Sequence, residues 1–107
     1  MDKDTAHTLG QIFGRLIAIE NIGATNALER EAMIYPMKSI TILYERAIQA
    51  RKLDSQSEKY IREMFDKLDA NTAIEQITDD ATRSAFVIGM TKGRQKKESK
   101  NADTKDV

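Results

Sequence analysis

Apolar residues recur at helical spacing along most of the chain. Leu9, Ile12, Phe13, Leu16 and Ile19 fall three or four positions apart and predict an amphipathic helix that starts near Asp4 or Thr5 and stops at Gly23. Gln11, Arg15 and Ala18 lie opposite that stripe, so Arg15 is expected to face solvent or a partner.

A short helix is expected over residues 26–34, capped by Thr25 or Asn26. Pro36 suits the first turn of the next helix, where its missing N–H costs nothing, and that helix is expected to run to about residue 52. Met37, Ile40, Leu43, Tyr44, Ala47 and Ile48 form its predicted buried side. Ser55 and Glu58 have the spacing of a capping box and open a helix to about residue 68, with an apolar edge of Ile61, Met64, Phe65 and Leu68. The stretch 73–77 is too short to assign. Thr78, Asp79 and Asp80 offer a cap and two first-turn carboxylates to a last helix, which carries Phe86, Gly89, Met90 and Gly93 along one side.

The pattern holds no strand alternation and no sustained heptads, so it predicts an all-α fold: a compact bundle of four to five helices over residues 1–97, followed by a disordered tail over 98–107 that has no apolar period. A length of 107 residues suits one core. Without cysteine there is neither a disulfide nor a thiolate metal site, and stability is left to packing. No apolar run is long enough for a membrane span or an export signal, and the expected location is the cytoplasm.

The net charge is zero, yet its distribution is uneven. Residues 1–53 carry +1, residues 54–82 carry −5 and residues 83–107 carry +4. A neutral total therefore conceals an acidic middle and a basic final quarter, an asymmetry that suits an interaction surface. The acidic middle is expected to face protein neighbours or solvent.

Catalytic machinery is hard to find. His7 is the sole histidine and has no ligand or base partner at a useful spacing, the serines occupy caps, and the glycines form no phosphate loop, so no catalytic residue, metal or cofactor is expected. Glu20 falls on the apolar side of the first helix and needs a partner, for which Arg51 and Arg83 are the candidates. Gly10 with Gly14, and Gly89 with Gly93, are each four apart; such pairs strip side chains from one strip of a helix and let a second backbone approach. The outward cations Arg15, Lys38, Arg46, Lys52, Lys92, Arg94, Lys96 and Lys97 are candidates for phosphate contacts, which need charge and no base readout. With three Phe, three Tyr and no Trp, a base-stacking platform is not evident.

Two stretches carry a resemblance: Ile12-Phe13-Gly14-Arg15-Leu16-Ile17-Ala18-Ile19-Glu20, and Phe86-Val87-Ile88-Gly89 followed by Arg94-Gln95. Together they resemble the C-terminal helical domain of the large subunit of type I-C CRISPR Cascade, a domain also made separately as the small subunit of the complex. Tyr35-Pro36-Met37 is similar to the start of a middle helix in that family, whereas Met90 and Thr91 stand where the family has an aromatic pair. The resemblance implies a non-catalytic subunit that packs on the crRNA-bound filament beside the backbone and large subunits and further copies of itself, and steadies opened target DNA. It carries over Arg15 and Arg94 as contact residues; the other six cations rest on outward placement. The competing expectation is a helical adaptor that binds protein alone.

Overall fold

The computed structural model describes the backbone of residues 1–106 and the side chains of residues 1–94. Among the described residues there are six helices and no strand: α1 Lys3–Ile17, α2 Asn26–Ala32, α3 Pro36–Gln49, α4 Ser55–Asp66, α5 Ala70–Ala73 and α6 Asp80–Asp106. The tail expected over 98–107 falls outside the residues whose side chains are described, and the α6 backbone is helical through Asp106.

The helix starts follow local capping chemistry. Asp2, Thr25 and Asp54 each accept a backbone N–H three residues on, at 2.7, 3.1 and 2.7 Å, satisfying a donor that the first turn leaves orphaned. Asp79 does the same for α6, accepting both the Thr82 N–H at 3.0 Å and the Thr82 hydroxyl at 2.7 Å. Two expectations shift. The first cap is Asp2 rather than Asp4 or Thr5, and α4 is capped by Asp54 in place of a Ser55 box.

Helix α1 ends at Ile17, six residues before Gly23, and the chain turns through Asn21 at φ 58° and Gly23 at φ 83°. Helix α3 ends at Gln49, and Arg51, at φ 54°, closes it. The Arg51 N–H bonds the Ile48 carbonyl at 3.1 Å and the Lys52 N–H reaches the Ala47 carbonyl at 2.9 Å, the two bonds of a Schellman motif, which usually places glycine where Arg51 stands.

Helix α1 lies at the centre. Apart from the half-buried Gln11, its residues from Leu9 to Leu16 are all buried, so the helix has no open side along this stretch. Leu9, Ile12, Phe13 and Leu16 join Ile40, Leu43, Ala47, Ile61, Met64, Ile77 and Phe86 in one core. The Phe13 and Phe86 rings sit 5.8 Å apart in a tilted pair, an arrangement worth about 0.5–1.5 kcal/mol beyond area burial. On α3 the predicted stripe is wider than the buried one: Ile40, Leu43 and Ala47 are buried, whereas Ile48 is 49% exposed.

A second side of α1 meets α6 through the four glycines. A Cβ on Gly10 would overlap the Phe86 carbonyl oxygen, one on Gly14 the Met90 carbonyl, one on Gly89 the His7 carbonyl, and one on Gly93 the Gln11 carbonyl. The two backbones therefore touch, a closeness in which Cα–H groups can donate weakly to facing carbonyls. Because both numberings rise together along this seam, α1 and α6 run parallel.

Directions of the remaining helices follow from single bonds. The Ile77 N–H bonds the Ile34 carbonyl at 2.8 Å, which sets the start of α3 near the start of α6. Arg46 and Lys52 reach carbonyls of residues 20–23, just past the end of α1, so α3 runs parallel to α1. Helix α4 meets Arg15 through Ser57 and Gln11 through Tyr60, so it runs back the other way. The radius of gyration, 13.4 Å, is close to the roughly 13 Å of a compact domain of this length.

Candidate nucleic-acid interface

This topology sorts the charges. Helices α1 and α3 finish at one end of the molecule, where α4 begins and α6 passes. That end carries Arg15, Arg46, Arg51, Lys52 and Arg94, together with Glu20, Glu29, Asp54 and Glu58. The opposite end, where α1 and α6 begin, gathers the carboxylates Asp2, Asp4, Asp69, Glu75, Asp79 and Asp80, with Lys3 and Arg83 among them. There the terminal ammonium of Met1 pairs with Glu75 at 2.8 Å, and that contact first of all raises its pKa above the ordinary value. The acidic middle of the sequence is thus divided: residues 69–80 lie at the end remote from the basic groups, whereas Asp54 and Glu58 lie beside them.

The expected outward placement of Arg15 is corrected. Its side chain is 6% exposed, because α4 covers the face of α1 opposite the leucine stripe. Arg15 Nε donates to the Ser57 hydroxyl at 3.0 Å, and the guanidinium carbon lies 5.3 Å from the centre of the Tyr60 ring. Its Nη1 is buried with no hydrogen-bond partner. The Tyr60 hydroxyl accepts from Gln11 Nε2 at 3.2 Å; burial raises its pKa, opposed by that bond and by the Arg15 charge.

Arg46 and Lys52 stand at the surface as expected, on the carbonyl-rich turn after α1. Arg46 Nη1 donates to the Gly23 carbonyl at 2.9 Å, and the Lys52 ammonium donates to the carbonyls of Glu20 and Asn21 at 3.1 and 2.9 Å. Neither is paired to a carboxylate among the described residues, so both retain their charge toward solvent. Arg51 is exposed beside them. The sequence offers Arg51 as a candidate partner for Glu20; instead it makes no ion pair among the described residues and takes the left-handed position after α3.

The other predicted contacts are dispersed or engaged. Lys38 pairs with Glu31 at 2.6 Å, and that hydrogen bond holds the ammonium pKa above its ordinary value. Arg94 is exposed and lies 3.7 Å from Glu29. Lys92 is exposed along the α1–α6 seam, where its charge helps to depress the pKa of His7, second to desolvation. Lys96 and Lys97 lie outside the described side chains.

Glu20 is also corrected. It lies past the end of α1, exposed, and makes no ion pair among the described residues; Arg83 instead bonds Asp80 at 2.8 Å and the Met33 carbonyl at 3.4 Å. The apolar side assigned to Glu20 required a helix reaching Gly23.

Between the end of α1 and the start of α4 lies a pocket of about 390 Å³, lined by Arg15, Ile19, Glu20, Asn21, Lys52, Asp54 and Ser57. Among the described residues no helix is long and apolar enough to cross a membrane. Comparison with known proteins brings no match, whether to family models, to curated proteins or to solved structures.

Proposed function

We propose that the chain is a non-catalytic helical subunit of a type I-C CRISPR Cascade complex, which steadies opened target DNA through contacts to its phosphates. One observation carries this reading: Arg46, Arg51 and Lys52 meet at the end where α1 and α3 finish, with Arg94 of α6 on the same end and the main cluster of carboxylates at the other. A neutral chain that presents a group of cations at one end can approach a polyanion end-on, where backbone contacts release counterions without reading sequence. The two motif stretches around Gly14-Arg15-Leu16 and Phe86-Val87-Ile88-Gly89 supply the family. In this reading guide pairing supplies sequence recognition, and the protein holds strands.

The partners are then the backbone and large subunits, further copies of the chain and the crRNA-containing filament, all in the cytoplasm. Arg15 serves here from within the body, through the pocket, and Lys38 contributes little because Glu31 already holds it. The experiment is retention of target DNA by the assembled complex with and without this chain, as salt rises. Faster loss without the chain supports the reading; identical retention refutes it.

A second reading has an observation of its own. A groove between α3 and α4, lined by Tyr44, Ile48 and Phe65, leaves apolar surface open, which suits a helical adaptor that binds protein alone. Such an adaptor would keep its partner after reversal of Arg46 and Lys52 and lose it after Ile48→Asp.

A further inference from the structure

We infer that the pocket between the end of α1 and the start of α4 is a socket for a single phosphate group, gripped by Arg15 from below and Lys52 from the rim. The first reason is an unmet donor. Arginine stays protonated at every pH of interest and offers five N–H groups; Nε is used by Ser57, while Nη1 is buried and bonded to nothing. A buried charge with an unmet donor is costly, and because Arg15 lines the pocket, an anion there offsets part of that cost through its attraction to the guanidinium as a whole.

Lys52 supplies the second donor. Two of its three ammonium protons meet the carbonyls of Glu20 and Asn21, which fixes the amine at the rim and leaves the third proton for a ligand. The pocket also opens beside the start of α4, where the positive end of the helix dipole favours an anion. Its volume, about 390 Å³, leaves room for a phosphate with part of its hydration.

Two carboxylates line the same pocket, and they select among anions rather than closing the site. Asp54 is turned to the Ser57 N–H as the helix cap. Glu20 is exposed, so it repels weakly through high dielectric. Phosphate answers this arrangement because its several oxygens can face the Arg15 charge and accept from the Lys52 ammonium at once.

The inference deepens the proposed function, and it rests on that reading only for the source of the phosphate, a DNA backbone rather than the free ion. The test is a titration of the isotope-labelled full chain, followed by NMR at the Arg15 Nε–H and at the amides of Asn21, Lys52 and Ser57. The probes are inorganic phosphate and a short oligothymidine. Saturable shifts at all four positions are expected with both, weakened about tenfold or more by Lys52→Gln, the loss of one charge-assisted hydrogen bond. Glu20→Gln is expected to tighten binding. Arg15→Met serves as the second variant, since an apolar side chain of similar length keeps α1 packed against α4.

Each outcome decides something. No saturable shift at these positions with phosphate overturns the socket. Saturation by phosphate without competition from the oligonucleotide keeps the socket and removes its nucleic-acid role. Oligonucleotide shifts confined to other residues, with no phosphate shift at these four, overturn the socket while leaving the proposed function standing.

Discussion

Gly10 of α1 lies so close to Phe86 of α6 that a Cβ on the glycine would overlap the phenylalanine carbonyl oxygen, with the Met90 amide nitrogen 2.9 Å from the same point. Both obstacles are backbone, so neither can swing aside. Gly10→Ala gains about 1 kcal/mol of helix propensity, yet overpacking costs about 1–3 kcal/mol and more where backbone must move. A net loss of stability is expected in urea unfolding followed by circular dichroism, and the same holds for Gly89→Ala, whose Cβ would meet the His7 carbonyl.

The glycine spacing was the most informative signal in the sequence. Two pairs four residues apart implied close approach of two backbones, and the structure joins the pairs to each other. What the sequence hid was a helix buried on more than one side. A single apolar stripe assumes one covered face, so Arg15 and Gln11 were read as outward, although Ser57 and Tyr60 of α4 cover them. Caps were legible to within a few residues because Asp and Thr act locally, whereas the end of α1 was not: Asn21 takes the left-handed turn before Gly23 is reached. Arg46 and Lys52 were legible as surface cations, but their meeting depends on the turn after α1, a contact between residues more than twenty positions apart.

Arg51 occupies a left-handed position that glycine fills without strain. Arg51→Gly is therefore expected to raise stability by about 1 kcal/mol, the approximate cost of a Cβ in that conformation, while lowering affinity for nucleic acid through loss of an exposed charge. Thermal unfolding and an oligonucleotide titration on the same variant check the two halves. A variant that is no more stable would mean that the side chain makes contacts that offset the strain.

The pair formed by Arg15 and Ser57 separates stability from binding. Ser57→Ala leaves Arg15 Nε unpaired inside the protein and is expected to cost about 1–3 kcal/mol. Arg15→Met removes the buried charge altogether, and replacing a buried ion with an apolar side chain of similar size is often neutral or stabilising. Denaturant midpoints of the two variants are thus expected to move apart, Ser57→Ala downward and Arg15→Met level or upward.

His7 makes the fold sensitive to mild acid. Desolvation, and then the charge of Lys92, depress its pKa below the ordinary 6.5. The unfolded chain therefore takes up a proton more readily than the folded one, and stability present above pH 6.5 is lost as the pH falls through the folded value. A further loss follows below pH 3.8, where the capping carboxylates Asp2 and Asp79, depressed by their bonds to Thr5 and Thr82, become protonated. His7→Gln is expected to flatten the first decline and leave the second, as read from unfolding midpoints across pH.

The central claim is that the end formed by α1, α3 and α6 holds phosphates. Its most direct test is the salt dependence of single-stranded oligonucleotide binding by the full chain, from about 50 to about 200 mM salt. With three or four contacts at roughly 0.7 per phosphate, log K is expected to fall with log salt at a slope of about −2 to −3. Arg46→Glu with Lys52→Glu is expected to reduce that slope by about half, while Asp79→Asn with Asp80→Asn at the far end leaves it unchanged. An equal slope and affinity in the Arg46 and Lys52 double variant would contradict the account.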